Sequence, residues 1–246
     1  MQNRYTGDIG DFGKLGLLRA LRAEGSSIGV NWYLVPDENH NGDGRHIDYL
    51  SNEKYRGCDE SLWLELKKIV SSQQRKVSSL ENDSILKATF FSNILDFRGK
   101  PLSERNRTRN TWNENALAKL RDSDIVFVDP DNGLMVPSAQ GTPRANKYVE
   151  PKELAGYFAQ GSSVIYYQHK ARKQDCFYIE QHRRVLDEMN LDESAGLGLK
   201  FVSTSQRYYF FILQPGHIPA VQRAVDVMLA SPWKAHFRQM KDWRKF

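Results

Sequence analysis

The stretch Asp124-Ile125-Val126-Phe127-Val128-Asp129-Pro130-Asp131-Asn132-Gly133 decides the fold, because an unbroken apolar run ends abruptly in polar and turn-forming residues. Such a run predicts a strand that is buried on both faces of a parallel sheet. Pro130 has no N–H group and therefore ends the strand, and Gly133 allows a sharp change of direction.

The polar residues after this run, Asp129, Asp131 and Asn132, are expected at the carboxyl end of the strand. Ligands of open α/β sheets bind in the crevice at that edge. We therefore interpret these three residues as catalytic candidates. The alternative is a plain strand-ending turn, since Asp, Pro, Asn and Gly are all common in turns.

A glycine-rich segment near the start of the chain leads into a helix with apolar residues at Leu17, Leu18 and Leu21. The start of a helix presents free N–H groups and a positive dipole end, which suit an anionic group. Lys14 falls in the first turn, where a cation opposes the dipole, so we expect it to serve a ligand or a carboxylate. A simply capped helix is the alternative. The cofactor-binding candidates here are Asp8, Asp11, Gly13 and Lys14.

A dense polar loop, Pro36 to Asp48, follows the next predicted strand, Gly29 to Val35, and holds more charged groups than a turn requires. Metal ligation by His40, Asp43, His46 and Asp48 is one interpretation, although their spacing matches no recognised metal motif. Binding of substrate or cofactor is a second, and an ordinary polar loop is the third. The cofactor-binding candidates are Asp37, His40, Asp43, Arg45 and His46.

Another apolar run with a polar end, Ser162 to Lys170, follows a predicted helix at Pro151 to Phe158. Sequential strands that are joined by a helix are usually neighbours in the sheet. We therefore expect His169 and Lys170 to lie beside Asp129 and count both as catalytic candidates.

The remaining pattern predicts an α/β fold of the Rossmann-like kind, with a mostly parallel sheet and helices on both faces. The two apolar runs between Leu199 and Leu213 are separated by only four residues. That link is too short for a parallel crossover and predicts a C-terminal antiparallel hairpin. Residues 1–230 are expected to form a single domain, followed by a basic, tryptophan-containing tail or helix at 231–246.

Composition and charge indicate the cellular setting and the kind of partner that the chain can have. Of 246 residues, 40% are hydrophobic, and no apolar stretch approaches the length of a membrane span. Two isolated cysteines and the lack of an apolar secretory segment favour a cytoplasmic setting without membrane contact. The net charge is +5, and three basic clusters favour a nucleic acid or nucleotide partner. They are Arg98–Arg109, Lys170–Lys173 and Trp233–Lys245.

The order of elements and Asp129-Pro130-Asp131-Asn132 resemble the class I methyltransferase-like Rossmann fold, and within it the methyltransferases that modify the N6 amine of adenine, including those that act on ribosomal RNA. The resemblance implies that Asp129 and a backbone carbonyl accept hydrogen bonds from the exocyclic amine of a base. It also implies that Gly10-Asp11-Phe12-Gly13-Lys14 contacts the methionine end of S-adenosylmethionine. Asp131 and Asn132 stand where that family has proline and tyrosine.

Two other functions remain open. A metal-dependent nuclease or phosphohydrolase would hold Mg²⁺ with Asp129, Asp131 and an aspartate of the polar loop (Asp43 or Asp48), while Lys170 stabilises charge on phosphate. A non-catalytic nucleic-acid-binding subunit would instead use its basic segments for phosphate contacts. A protein partner or a homodimer is compatible with each of these functions.

Overall fold

The computed structural model describes residues 1–38 and 44–240. The strands of this part of the chain are β1 (Ile28–Asn31), β2 (Thr89–Phe91), β3 (Ile125–Val128), β4 (Gly133–Leu134), β5 (Tyr148–Val149), β6 (Ser163–His169), β7 (Gly196–Val202), β8 (Gln206–Ile212) and β9 (Phe237–Gln239). Its α-helices are α1 (Ile9–Ala23), α2 (Glu53–Arg56), α3 (Glu60–Ser71), α4 (Leu102–Leu120), α5 (Pro151–Ala159), α6 (Asp175–Glu188) and α7 (Ile218–Ala230).

The main sheet has seven strands in the order β2-β1-β3-β6-β8-β7-β9. The first four of these strands are parallel to one another. β8 is antiparallel to both β6 and β7, and β9 is antiparallel to β7. The predicted α/β fold, with a mostly parallel sheet and a C-terminal antiparallel hairpin, is therefore confirmed.

Strand β3 lies at the centre of the parallel part of the sheet, and its four side chains are buried. Ile125 and Phe127 pack into the core on one face, and Val126 and Val128 pack into the core on the other. Successive side chains of a strand point to opposite faces, so a strand covered on both sides needs an uninterrupted apolar run. This explains why the sequence shows no alternation here.

Helices cover both faces of the sheet, as expected. Apolar residues of α1, α3 and α7 belong to one core, and those of α4, α5 and α6 belong to the other. Asp8 caps the start of helix α1, and its side chain accepts hydrogen bonds from the N–H groups of Gly10 and Asp11. None of the helices in residues 1–38 and 44–240 is both long and apolar enough to cross a membrane.

Helix α4, Leu102–Leu120, contains most of the basic Arg98–Arg109 cluster. Its buried residues are Arg109, Trp112, Ala116 and Leu120, which recur at helical spacing. The first of these is charged, so an apolar pattern does not reveal the first half of the helix.

Arg109 is a core residue, although its sequence position suggested phosphate binding. Its guanidinium donates to Glu153 through Nε at 2.8 Å and through Nη2 at 2.7 Å, and Nη2 also donates to the Tyr33 hydroxyl at 2.7 Å. Elsewhere in the segment, Arg98 forms an ion pair with Asp96. Much of this positive charge is therefore balanced within the chain.

Residues 231–240, the described part of the predicted tail, pack onto the domain. Residues Pro232–Ala235 form a 3₁₀ helix, and β9 extends the sheet beside β7. Trp233 is buried, with its ring centroid 4.7 Å from that of Phe12 in α1. Trp233 and Phe237 therefore contribute to the core rather than to a binding surface.

His182 of α6 lies in the core beside β6 and β8. Its ring stacks on Phe210 with 4.8 Å between centroids, and Nδ1 lies 2.9 Å from the Tyr166 hydroxyl. Burial lowers the pKa of His182 to about 3, so the imidazole stays neutral in the folded protein.

Replacing Arg109 with Met is expected to lower the free energy of unfolding by about 3–5 kcal/mol, because Glu153 would keep a buried charge without its partner. Arg107→Met, an exposed position on the same helix, should change it by less than about 0.5 kcal/mol. Urea denaturation measures both values. Equal effects of the two substitutions would contradict the structural role of Arg109.

Acid should destabilise the protein through His182. Its folded pKa lies below that of an exposed histidine, so the unfolded state binds more protons and stability is lost as the pH falls below about 6.5. Between pH 7 and pH 5 this group should cost about 2 kcal/mol. His182→Gln, which cannot titrate, should lose correspondingly less stability over that range in urea denaturation, and an identical pH dependence would refute the assignment.

Candidate functional site

A cavity of about 220 Å³ lies at the carboxyl edge of β3 and β6, beside the start of α1 and the start of β8. It brings together predicted residues from four separate parts of the sequence. Those that line it are Asp8, Asp11, Lys14, His46, Asp129, Asp131, Asn132 and His169. Convergence of these polar strand ends and the N-terminal segment makes the cavity the candidate functional site.

Lys14 connects α1 to the end of the central strand. Its ammonium forms a hydrogen-bonded ion pair with Asp129 and lies 3.0 Å from Asp11, one turn earlier in its own helix. The Asp129 N–H donates to the Asn31 carbonyl at 2.9 Å, which continues the pairing of β3 with β1 beyond Val128. The carboxylate of Asp129 is thus fixed from both its backbone and its side chain.

Two buried carboxylates share the single ammonium of Lys14. Burial raises the pKa of Asp129, and Lys14 offsets only part of that rise. The pKa of Asp11 is raised for the same reason. Burial alone would lower the pKa of Lys14, but Asp129 and Asp11 raise it above its ordinary value. Lys14 therefore stays charged, whereas Asp129 is poised to take up a proton more readily than an exposed aspartate.

Asp131 is held by the first residues of the chain. The α-amino group of Met1 lies 2.7 Å from Asp131 Oδ1, and Gln2 Nε2 donates to Oδ2 at 2.6 Å. Burial alone would raise the pKa of Asp131, but these two partners hold it below its usual range. The Met1 amine also donates to the Asp129 carbonyl at 2.9 Å.

Gly133 makes the sharp turn that the sequence predicts. Its φ is +109°, which favours glycine, and a Cβ at this position would overlap the side chain of Gln168. Gln168 Oε1 accepts from the Leu134 N–H at 2.9 Å, and Nε2 donates to the Asn132 carbonyl at 3.1 Å. The end of β6 thereby fixes the loop that carries Asn132.

Two oxygen atoms at the end of β3 have no hydrogen-bond donor among the described residues. Lys14 donates to Asp129 Oδ2, and no residue of the described ranges donates to Oδ1. The Pro130 carbonyl likewise accepts no hydrogen bond from the described chain. Both residues line the cavity, which makes the two oxygens candidate acceptors for a ligand.

Three of the described cofactor-binding candidates do not line the cavity. Gly13 packs against the ring of Phe201, where a Cβ would clash, and Arg45 is exposed. Asp37 accepts a hydrogen bond from the Arg4 N–H at 3.3 Å. These three residues contribute to packing or to the surface. His40 and Asp43 lie outside the described residues.

Lys170 also lies away from the cavity, contrary to its expected place beside Asp129. Its ammonium donates to the Lys173 carbonyl at 2.9 Å and lies 3.7 Å from Asp175. Strand β6 ends at His169, and Lys170 follows as the chain turns toward α6. His169 does line the cavity, where its Nδ1 lies 3.3 Å from the Tyr167 hydroxyl.

Sequence reasoning missed Arg207, whose side chain lines the cavity and is 6% exposed. Its Nη2 donates to Ser205 Oγ. Arg207 precedes its apolar run instead of following it. Since β8 is antiparallel to β6, it is the start of β8 that reaches the carboxyl edge. The polar link between the two strands of the hairpin is the sequence signal for this residue.

No group of three or more His, Cys, Asp or Glu side chains with an arrangement that could hold a metal ion occurs in residues 1–38 and 44–240. The carboxylates of Asp129 and Asp131 are instead paired with ammonium groups.

No protein-family model matches the chain, and no curated protein matches it. Among solved structures, the chain is similar to protein LPL1258 from Legionella pneumophila strain Philadelphia 1, which is described under family DUF519. The two share 11% sequence identity, with 95% of this chain and 96% of the other covered, and the TM-score is 0.38. A likeness at that score carries no argument about the activity of this chain.

Lys14→Met should lower the free energy of unfolding at neutral pH by about 3–5 kcal/mol, because it leaves two buried carboxylates without their cation. In an Asp129→Asn background the same substitution should cost less, since only Asp11 then loses its partner. Urea denaturation of the four proteins of this cycle gives the coupling. Lys152→Met is the control, because that ammonium is exposed. Additive effects would show that Lys14 and Asp129 do not depend on each other.

Proposed function

We propose that the chain is an S-adenosylmethionine-dependent, methyltransferase-like enzyme that acts on an amino group of a nucleobase, in a nucleotide or a nucleic acid. One observation carries the proposal. The N-terminal loop and helix meet the Asp129-Pro130 strand end in one cavity, and these are the two segments in which the chain resembles amino-methyltransferases. The order of elements, ending in an antiparallel hairpin, also agrees with that resemblance.

The acceptor pair at the end of β3 suits an amine. An exocyclic amine has two N–H groups, and Asp129 Oδ1 and the Pro130 carbonyl can accept one each. Both oxygens belong to a rigid strand end, so they would fix the direction of the nitrogen lone pair. This orientation is the contribution that we assign to Asp129 and Pro130.

Asp129 is also the residue to receive the proton that the nitrogen loses on methylation. Burial raises its pKa, which favours proton uptake relative to an exposed carboxylate. Lys14 stays charged beside it and limits this rise, so the carboxylate is ready to accept hydrogen bonds before the reaction. Lys14 is therefore a positioning residue for Asp129 in the proposed mechanism.

The residues of the cavity fit one end of the proposed cofactor. Bound S-adenosylmethionine would supply the methyl group from its sulfonium, and Asp8 and Asp11 at the start of α1 suit that positive charge. A volume of about 220 Å³ lies below the usual range for whole drug-sized ligands, about 300–1,000 Å³. The cavity would thus enclose part of the cofactor, with Asp8, Asp11 and Lys14 along one wall.

The experiment combines titration calorimetry with a transfer assay. Wild-type protein should bind S-adenosylmethionine and transfer its labelled methyl group to one of adenosine, AMP, RNA or DNA. Asp129→Asn should lower transfer by about 100-fold or more, because it cannot accept the proton, while cofactor affinity changes by less than about threefold. Asp187→Asn, an exposed change on α6, should leave both unchanged.

The proposal fails if wild-type protein shows no binding of S-adenosylmethionine at millimolar concentration. It also fails if Asp129→Asn transfers methyl groups as fast as wild type. Thermal unfolding of each variant separates a loss of activity from a loss of folded protein.

A further inference from the structure

Arg207 is a buried cation that the proposed mechanism does not use. It lies second in β8, opposite His169 of β6, and only 6% of its surface is exposed. The side chain borders the same cavity as Asp129. It therefore faces any ligand that enters the site from the side of the hairpin.

The guanidinium of Arg207 is largely without hydrogen-bond partners. It has five N–H donors, yet in the described part of the chain only Nη2 donates, to Ser205. Nε is buried and has no acceptor in the structure. Since buried polar groups are nearly always hydrogen-bonded, this arrangement indicates a missing acceptor.

The electrostatic environment of the Arg207 guanidinium also favours the binding of an anion. The guanidinium lies against Gly10 in the first turn of α1, where a Cβ would overlap Nη1. A cation at the positive end of a helix dipole is unfavourable without a counter-charge. Burial alone would lower the pKa of Arg207, but Tyr167, Asp8, Tyr209 and Asp11 raise it. Among the described residues, Arg207 forms no ion pair within 4.0 Å.

The backbone of α1 offers little to such an anion. The N–H groups of Gly10 and Asp11 donate to Asp8 Oδ1 at 2.7 Å and 3.1 Å. The Ile9 N–H donates to the His46 carbonyl at 3.0 Å. Recognition at this position consequently depends on the Arg207 side chain rather than on the helix N-terminus.

We propose that Arg207 forms an oxyanion subsite of the cavity and binds the carboxylate or the phosphate of a small ligand. A planar guanidinium matches both groups, because parallel N–H donors reach two oxygens at once. The carboxylate version rests on the proposed function, since S-adenosylmethionine carries a carboxylate. The phosphate version does not, and it would place a nucleotide substrate with its phosphate at Arg207.

Two matched pairs of ligands distinguish these versions. S-Adenosylmethionine is compared with methylthioadenosine, which lacks the amino-acid portion, and AMP is compared with adenosine, which lacks the phosphate. Calorimetry gives the affinity of wild type, Arg207→Met and Arg207→Lys for each. Arg238→Met, an exposed change on β9, is the control, and thermal unfolding verifies that each variant is folded.

Wild type should prefer the oxyanion-bearing member of one pair by about 10- to 100-fold, the range for a hydrogen bond to a charged group. Arg207→Met should abolish that preference, and Arg207→Lys should retain a reduced one. A preference within the first pair identifies a carboxylate, and one within the second identifies a phosphate.

If S-adenosylmethionine does not bind but the AMP preference depends on Arg207, the subsite stands and the methyl donor is wrong. Absence of any preference, or a preference that survives Arg207→Met, overturns the subsite.

Discussion

The ion pair between Lys14 and Asp129 connects the two parts of the molecule on which the cavity depends. One partner belongs to the first helix and the other to the end of the central strand, and both are almost fully buried. Removing such charges from water is costly, and the arrangement persists only when each charge keeps its counterpart. Because Lys14 belongs to α1 and Asp129 follows β3, the pair holds the start of the helix against the end of the strand. The cavity lies between these two segments.

The sequence predicted the fold and much of the site for one physical reason. Apolar runs reveal buried parallel strands, and the polar residues that follow them must meet at one edge, as Asp129 and His169 do. The same reasoning failed where a charged residue fills the core or where an aromatic residue of a basic segment is buried. Arg109 interrupts the apolar pattern of α4, and Trp233 belongs to the basic C-terminal segment but packs against Phe12. Burial of such residues depends on partners that are distant in sequence.

Asp131 and Asn132, which depart from the motif of the proposed resemblance, both hold the surrounding chain. Asp131 binds the Met1 amine and the Gln2 amide. The backbone of Asn132 is fixed by Lys147 and Gln168. Under the proposed function, Asp129 and Pro130 would supply the acceptors for a ligand. A flipped base would accordingly need a stacking partner from elsewhere in the cavity, such as Tyr5 or Tyr167.

The hairpin of β7 and β8 restricts insertions and deletions in this part of the chain. Its link is short, and alternate residues of β8 point to opposite faces, so Arg207 shares a face with Tyr209 while Tyr208 packs into the other core. A shift of one residue in the pairing of β8 would exchange these faces and turn the guanidinium away from α1. Surface hairpins usually accept insertions and deletions freely. In this hairpin the number of residues in the link sets the register of β8, and the register decides whether Arg207 reaches the cavity.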